Sequence, residues 1–546
     1  MPVWRCAAPP SPASAKAMCG RSTHLASCAS VRFPCPPRRR ALNPHDLAAN
    51  AALTARLARI AAGPSGPAIG AFFDFDGTLI DGFSALHLVG ERWKQRQIGL
   101  REASELLTFG LMKHPGDGDF LELIENAVGR WKGLDEAALA LTWERIFVRK
   151  IARTVFPEAW RLVQAHQRAG HTVVIASSAT RWQIAPAARE FGIPHLLTTP
   201  VEVRDGRLTG RLAGAPLWNA GKAQAVRAFA AAQRVRLEHS YGYANGDEDI
   251  AFLSSLGQPM AINPKPLLIA AARDADWPIA RFAQRRTLTV VQRLRTTASY
   301  AAMAGAFAGG LAAHALGLPK ARARNLVTML APELALAAAG IELRVHGEEN
   351  LWKARPAIFL FNHQSPLDLV VGVLLMRRDA TGVVKAEMGQ MLGWGQFARF
   401  MDLALVDRAD PDKARAALAP AVDKLRAGLS LGICPEGTRS YSPRLGPFKK
   451  GAFHLALQAQ VPIVPVVMRN VGDVMHRDSA WMRPGVVEIC VLPPVDTRRW
   501  TRETLDRHID AVRQQFVATL NHWPGEAAPT PAPRGRRARP KTGVSA

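Results

Sequence analysis

A chain of 546 residues is longer than one ordinary hydrophobic core organises, so roughly two to four domains are expected. The hydrophobic content of 48% is normal for a globular protein and suffices for well-buried cores, whereas a formal charge of +25 is not normal and calls for an anionic partner. Anionic lipid headgroups and phosphorylated or coenzyme A-type substrates fit that charge; with aromatics at only 7% and no nucleic-acid motif in the chain, nucleic acid ranks last and is not the expected partner.

Residues 1–66 are rich in Ala, Pro, Ser and Arg, and the run Pro34-Cys35-Pro36-Pro37-Arg38-Arg39-Arg40 fits no regular element. No uninterrupted apolar stretch suggests a secretory signal. A disordered basic leader is expected, with at most a short helix over Pro44 to Ala62. Cys6, Cys19, Cys28 and Cys35 fit neither a CxxC metal site nor a disulfide framework. With Cys434 and Cys490 they read as reduced thiols of a cytosolic protein.

Residues 67–275 carry an α/β pattern. The apolar run Ala68 to Phe75 predicts a buried strand ending in Asp74-Phe75-Asp76-Gly77-Thr78. Gly82 to about Arg153 is helical in pattern and predicts an inserted cap over residues 82–155. A helix over Ala159 to Ala169 precedes a second buried strand, Thr172 to Ala176. Short strands follow within Leu196 to Val203, a helix starts near Lys222, and Ser240 to Ala244 and Pro259 to Ile262 are further strands. This alternation predicts a parallel, Rossmann-like sheet.

Residues 276–345 form a basic, Ala-rich bridge. Thr296 to Leu318 has the length of a membrane span and contains Gly305-x-x-x-Gly309, with Arg293, Arg295, Lys320, Arg322 and Arg324 around it. Its Ala and Gly content and His314 make insertion weak. An interfacial or re-entrant helix pair with Asn325 to Ile341 is therefore expected ahead of a true span or a buried soluble helix. Residues 346–525 form a second α/β unit. Ala357 to Phe361, Leu429 to Cys434, Val461 to Val466 and Val486 to Val491 are its strands. Residues 526–546 are a basic, Pro-rich tail expected to be disordered.

Two residue constellations carry chemistry. A phosphate ester yields to an aspartate nucleophile if a second acid protonates the leaving oxygen and cations mask the charge. Asp74 and Asp76 lie two apart at a strand end, and Gly77 permits the turn. Ser177 can donate to phosphate, Lys222 can neutralise it, and Asp247-Glu248-Asp249 can hold a hard cation. All fall where parallel sheets bind ligands. This ordered set resembles the haloacid dehalogenase superfamily, in its phosphoserine-phosphatase-like branch (subfamily IB). The resemblance implies Asp74 as nucleophile forming an aspartyl-phosphate and Asp76 as general acid/base. It further implies Ser177 and Lys222 as phosphate ligands, and Mg²⁺ held by Asp74, Asp76 and Asp249. Two departures stand out. Asn245 occupies the position where that family places the first acid of its last motif, so metal affinity is lowered or Asp247 substitutes. Only Asp81 follows Ile80 where a phosphoserine enzyme wants a carboxylate, which argues against phosphoserine as substrate.

A hydroxyl attacks a thioester well only if its proton is removed, and histidine oriented by a carboxylate is the base for neutral pH. His363 and Asp368, in Asn362 to Asp368, can meet across one turn. Leu405-Val406-Asp407-Arg408 and Pro435-Glu436-Gly437-Thr438-Arg439-Ser440 follow, with turn N–H groups and Arg forks suited to phosphate. Lys449 and Lys450 add positive charge, and Val461 to Val466 closes the set. These blocks resemble the glycerolipid acyltransferases of the 1-acylglycerol-3-phosphate acyltransferase type. The resemblance implies His363 as base, Asp368 as its orienting partner, and Arg408, Glu436, Gly437, Thr438 and Arg439 as the acceptor-phosphate site. It implies direct transfer from acyl-CoA or an acyl carrier protein thioester to lysophosphatidic acid. The basic bridge would hold the chain at an anionic membrane surface on the cytoplasmic face, peripheral or partly inserted, at about 1 kcal/mol per basic residue. A catalytically weak, regulatory phosphatase-like half is the alternative that Asn245 motivates.

Overall fold

The computed structural model describes residues 44–94, 117–285, 287–385, 394–406 and 413–525. The first unit holds strands β1 (Gly70–Phe73), β2 (Thr172–Thr180), β3 (His195–Thr199), β4 (Val201–Arg204), β5 (Arg207–Leu212), β6 (Tyr241–Ala244), β7 (Gln258–Ile262) and β8 (Ile279–Ala280). Six of these form one parallel sheet in the order β3-β2-β1-β6-β7-β8, and β4 and β5 pair as a separate hairpin. All four residues of β1 are buried, as a central strand covered on both faces requires. The chain order reverses at β1, whose neighbours are β2 and β6, so ligand chemistry is expected at the carboxyl ends of those strands.

Helices Ala85–Lys94, Asp117–Gly129 and Glu136–Ile146 lie between β1 and β2 and make the cap. Asp135 caps the last of them, its side chain accepting from Ala138 N–H. The cap rests on the β4–β5 hairpin, where Asp135 bridges to Arg207.

The amino-terminal helix Pro44–Ala62 lies where the sequence allows a short helix within the leader. It is docked on the sheet. Leu53 and Ile60 are buried in the core, and buried Arg56 donates to the carbonyls of Gln258 (3.0 Å) and Pro259 (2.7 Å). The stripe Leu53, Arg56, Leu57, Ile60 at i, i+3, i+4, i+7 is the amphipathic signal for it. Residues 1–43, the cap stretch 95–116 and the tail 526–546 lie outside the described residues.

The second unit holds β9 (Ile341–His346), β10 (Ile358–Phe361), β11 (Ala380–Lys385), β12 (Ala404–Val406), β13 (Ser430–Ile433), β14 (Ile463–Met468) and β15 (Gly485–Val491). Their order is β12-β11-β13-β10-β14-β15-β9, parallel except for the β14–β15 pair. β10 sits centrally between β13 and β14, and its run Ile358-Phe359-Leu360-Phe361 is buried throughout.

The bridge is a helix hairpin, Val290–Ala315 and Lys320–Ala339. The two helices approach closely: a Cβ on Gly310 would sit 2.2 Å from Val327 Cγ2, and Ser299 Oγ donates to Ala335 O at 2.8 Å. Leu336 and Ala339 join the core of the second unit. Leu294, Leu311, Leu316, Met329 and Leu334 point outward, Leu316 with 89% of its surface exposed. Among the described residues no helix is long and apolar enough to cross a membrane.

The units touch through polar contacts. Ser442 Oγ donates to Glu190 Oε2 (2.7 Å), Arg444 Nη1 to Arg189 O (2.8 Å), and Arg285 Nη1 to Asp473 O (3.0 Å).

Candidate functional sites

In the first unit Asp74 leaves the end of β1 with its N–H bound to Tyr243 O at 2.9 Å. Lys222, in the first turn of helix Ala220–Gln233, reaches both Asp74 Oδ1 (2.9 Å) and Asp249 Oδ1 (2.5 Å), and all three side chains are buried. Burial pushes the Asp74 carboxyl above its ordinary value, against the pull of Lys222. Burial likewise raises Asp249, to about 7, against the same lysine. Burial also opposes the Lys222 charge, but Asp249 and Asp74 outweigh it and hold the ammonium protonated. Two carboxyl groups therefore share one cation in a buried cluster.

Asp76 has a different environment. Its Oδ1 accepts Ser84 N–H (2.7 Å) and its Oδ2 accepts Ser84 Oγ–H (3.0 Å). Burial, against those bonds, raises its carboxyl to about 7, so it can hold a proton near neutral pH. Ser177 is buried in β2. Two registers, Phe73 against Ile175 and Phe73 against Tyr243, place the middle of β2, two residues before Ser177, and the end of β6 beside the end of β1.

Gly77 adopts φ +75°, and a Cβ there would meet Asn245 Nδ2 at 2.2 Å. Asn245 Oδ1 also accepts Thr78 Oγ1–H at 3.4 Å. Asn245 thus packs on the turn behind Asp74, a role that a shorter or charged side chain would not fill in the same way. Asp247 Oδ1 caps the helix at Leu268 N–H (2.8 Å).

The donor set can be tested against Mg²⁺. Among the described residues no three His, Cys, Asp or Glu side chains converge as a metal cluster. Both Asp76 oxygens are engaged by Ser84, so the expected metal role of its carboxylate has no support in its contacts. What remains is the buried pair Asp74 and Asp249, with hard oxygens. A hard cation that keeps several waters and takes one or two carboxylates fits that pair.

In the second unit β10 ends at Asn362, whose amide locks onto Met468 by two bonds of 2.7 Å. The chain then turns so that His363 Nδ1 meets Asp368 Oδ2 at 2.8 Å. The same oxygen accepts the N–H groups of Gln364 (2.6 Å) and Ser365 (2.8 Å), while Oδ1 makes no hydrogen bond among the described residues. Burial raises the Asp368 carboxyl, opposed by its bond to His363. With Nδ1 committed, Nε2 is the nitrogen left for an incoming hydroxyl.

Glu436, expected at the acceptor-phosphate site, has both carboxylate oxygens engaged by backbone N–H groups. Oε1 accepts His363 N–H and Oε2 accepts Gly446 N–H, each at 2.7 Å. A buried carboxylate so occupied would repel phosphate; it buckles the His363 turn to the loop after β13. Gly437 follows with φ +72°, where a Cβ would lie 2.9 Å from Lys449 Nζ. Lys449 therefore lies over the Gly437 turn, whereas Lys450 pairs with Asp506 at 2.7 Å. Arg439 and Arg477 each donate to the other's carbonyl oxygen, and Arg477 stacks on Tyr441 at 3.7 Å. Arg408 lies outside the described residues.

A cavity of about 560 Å³ joins these groups. His363, Asp368, Thr438, Arg439, Arg377 and Arg477 are among its polar lining. Phe361, Leu369, Met376, Val383, Met401 and Leu403 are among its apolar lining. Arg477 was not signalled by the sequence because it lies outside every motif block, in the loop after β14. Ser84 was equally silent: a lone serine eight residues after Asp76 carries no pattern.

Two separate sites, each at the carboxyl end of the central strand of its own sheet, define a two-unit α/β enzyme. The sequence agrees: the chain belongs to the haloacid dehalogenase-like hydrolases over residues 71–254 and to the acyltransferase family over residues 342–469. A 1-acyl-sn-glycerol-3-phosphate acyltransferase of Limnanthes douglasii is 34% identical over 182 residues, 33% of this chain and 64% of that protein. The alpha form from Mus musculus is 30% identical over 213 residues, 38% of this chain and 75% of that protein. A Mycobacterium tuberculosis protein named as a hydrolase is 31% identical over 249 residues, 45% of this chain and 79% of that protein. The chain spans less than two thirds of several curated acyltransferases it matches, 60% of one from Saccharomyces cerevisiae.

Proposed function

We propose that the second unit transfers an acyl chain from acyl-CoA or an acyl carrier protein thioester to 1-acyl-sn-glycerol-3-phosphate, giving phosphatidic acid. The carrying observation is the His363–Asp368 pair in the wall of one cavity lined by both arginine and apolar side chains. His363 Nε2 takes the proton of the acceptor hydroxyl as its oxygen attacks the thioester carbon. The carbon–sulfur bond then breaks, and the imidazolium returns the proton to the thiolate. Asp368 stabilises the imidazolium and fixes its tautomer. Arg439, Lys449 and the Gly437 turn offer charge for the acceptor phosphate, with Arg408 the further candidate from the sequence.

The first unit is proposed to be a phosphomonoester phosphatase. Asp74 attacks phosphorus and forms an aspartyl-phosphate, Asp76 protonates the leaving oxygen, and Ser177 and Lys222 hold the phosphoryl oxygens. Asp74 and Asp249 would hold Mg²⁺, which when bound masks the phosphate charge. The support is the buried Asp74–Lys222–Asp249 cluster next to an acid raised to about 7.

The chain is further proposed to act at the cytoplasmic face of the cell membrane, peripheral or partly inserted. The outward apolar side chains of the hairpin, Leu294 and Leu316 among them, would enter the interface, with exposed Arg293 and Arg322 against anionic lipid.

The test incubates the full-length protein with lysophosphatidic acid, acyl-CoA and Mg²⁺ and identifies the lipids by mass spectrometry. Phosphatidic acid that vanishes in His363→Ala supports acyl transfer; its persistence in that variant refutes the assigned base. Diacylglycerol that disappears in Asp74→Asn would place both sites on one lipid.

A further inference from the structure

The phosphatase half contains a second feature, a cavity of about 90 Å³ between the cap and the end of β2. Leu88, Phe120, Leu123, Ile124, Trp131 and Trp143 form most of its wall. Asp76 is part of the same wall. The group that would protonate a leaving oxygen therefore stands at the edge of an apolar chamber, and whatever lies in that chamber is the leaving group.

The charges around the chamber sharpen this. Among the described residues, Asp76 and Arg130 are the only titratable groups lining it. Among the described residues no second carboxylate lines it to receive an ammonium. Asp81 is directed elsewhere, its Oδ2 accepting Arg285 N–H at 2.6 Å at the entry to the bridge. An amino-acid leaving group such as serine would have to shed water from its ammonium with no counter-ion in return, a cost no apolar wall offsets. A hydrocarbon group gains from the same wall by leaving water.

We propose that this site hydrolyses phosphomonoesters whose leaving group is an apolar alcohol, seated among Leu88, Phe120, Ile124, Trp131 and Trp143, and that it discriminates against phosphoserine. This rests on the phosphatase activity proposed above. In the first step a bond forms between Asp74 Oδ and phosphorus while the ester P–O bond breaks, and the leaving oxygen takes the Asp76 proton. In the second, water attacks phosphorus, its proton passes to Asp76, and phosphate departs from Asp74.

The experiment measures phosphate release by the full-length protein with Mg²⁺ from ethyl, butyl and hexyl phosphate and from O-phosphoserine. The alkyl leaving groups differ little in basicity, so the series reads burial. At the usual transfer free energy of a buried CH₂, kcat/KM should rise about fourfold per methylene until the chamber is full, or about fifteenfold from ethyl to butyl phosphate. Phosphoserine should fall at least tenfold below butyl phosphate. Ile124→Glu, at a half-buried cap position, should flatten the series. A flat series in the wild type, or phosphoserine equal to butyl phosphate, would overturn the inference while leaving the phosphatase activity standing. Turnover of none of the esters would overturn both.

Discussion

Replacing Asp368 separates two things that its carboxylate does for His363. One oxygen, Oδ2, accepts His363 Nδ1–H at 2.8 Å and the Gln364 and Ser365 N–H groups at 2.6 and 2.8 Å. In Asp368→Asn the amide oxygen must take that place, because an NH₂ there would face three donors. The tautomer is then kept and only the negative charge is lost. A charge-assisted bond contributes about 1.5–3 kcal/mol and a neutral one about 0.5–1.5. The difference, about 1–1.5 kcal/mol, corresponds to a loss of roughly five- to fifteenfold in kcat for acyl transfer. Asp368→Ala loses the whole bond, the tautomer and the acceptor for two backbone groups, so roughly 10²- to 10³-fold is expected. The assay is coenzyme A release at saturating lysophosphatidic acid, read with a thiol reagent, and circular dichroism checks folding. A folded Asp368→Ala within threefold of wild type would refute the orienting role. So would Asp368→Asn losing as much as Asp368→Ala.

Three further outcomes are expected. Gly77→Ala forces a side chain into the left-handed region and onto Asn245, so phosphate release should fall at least a hundredfold while coenzyme A release persists; unchanged phosphatase activity would contradict the close approach. Arg56→Met strips donors from the Gln258 and Pro259 carbonyls, and a loss of roughly 2–4 kcal/mol should appear as a lower denaturant midpoint; no shift would mean the amino-terminal helix is not part of the fold. Burial, with His171 and Arg56 nearby, holds the His166 imidazole well below its free value. The folded site therefore stays neutral where the unfolded chain takes a proton, and its stabilisation is present above about pH 6.5 and lost as pH falls below it. The raised carboxyls act in the opposite sense, so the readout is the melting temperature of His166→Phe minus wild type, which should rise by about 2–4 °C between pH 7.5 and 5.5; a constant difference would refute the assignment.

The sheets were legible because buried parallel strands are short apolar runs. Phe72-Phe73 and Phe359-Leu360 announce themselves without any alternation, and their ends carry Asp74 and His363. What stayed hidden depends on chain distance or on lone residues. Arg56 is a single charge in an amphipathic helix, and its partners are two carbonyls about 200 residues away. The contacts of Glu436 stayed hidden because a motif shows which residues cluster but not which way they face; only the folded chain places two N–H groups on its carboxylate. Phe120, Leu123 and Ile124 read as an ordinary helix face, and it takes the folded cap to bring them beside Asp76. The hairpin was drawn from composition alone, since Ala and Gly permit both close packing, as at Gly310, and weak insertion.

Two independent active sites in one chain is the claim on which everything else depends. One experiment tests it directly: coenzyme A and inorganic phosphate are both quantified from a single reaction containing lysophosphatidic acid, acyl-CoA, butyl phosphate and Mg²⁺. Wild type, Asp74→Asn and His363→Ala are compared. Phosphate lost only in Asp74→Asn, with coenzyme A lost only in His363→Ala, is the expected result. Loss of both products in either variant, or failure of Asp74→Asn to reduce phosphate release, would contradict it.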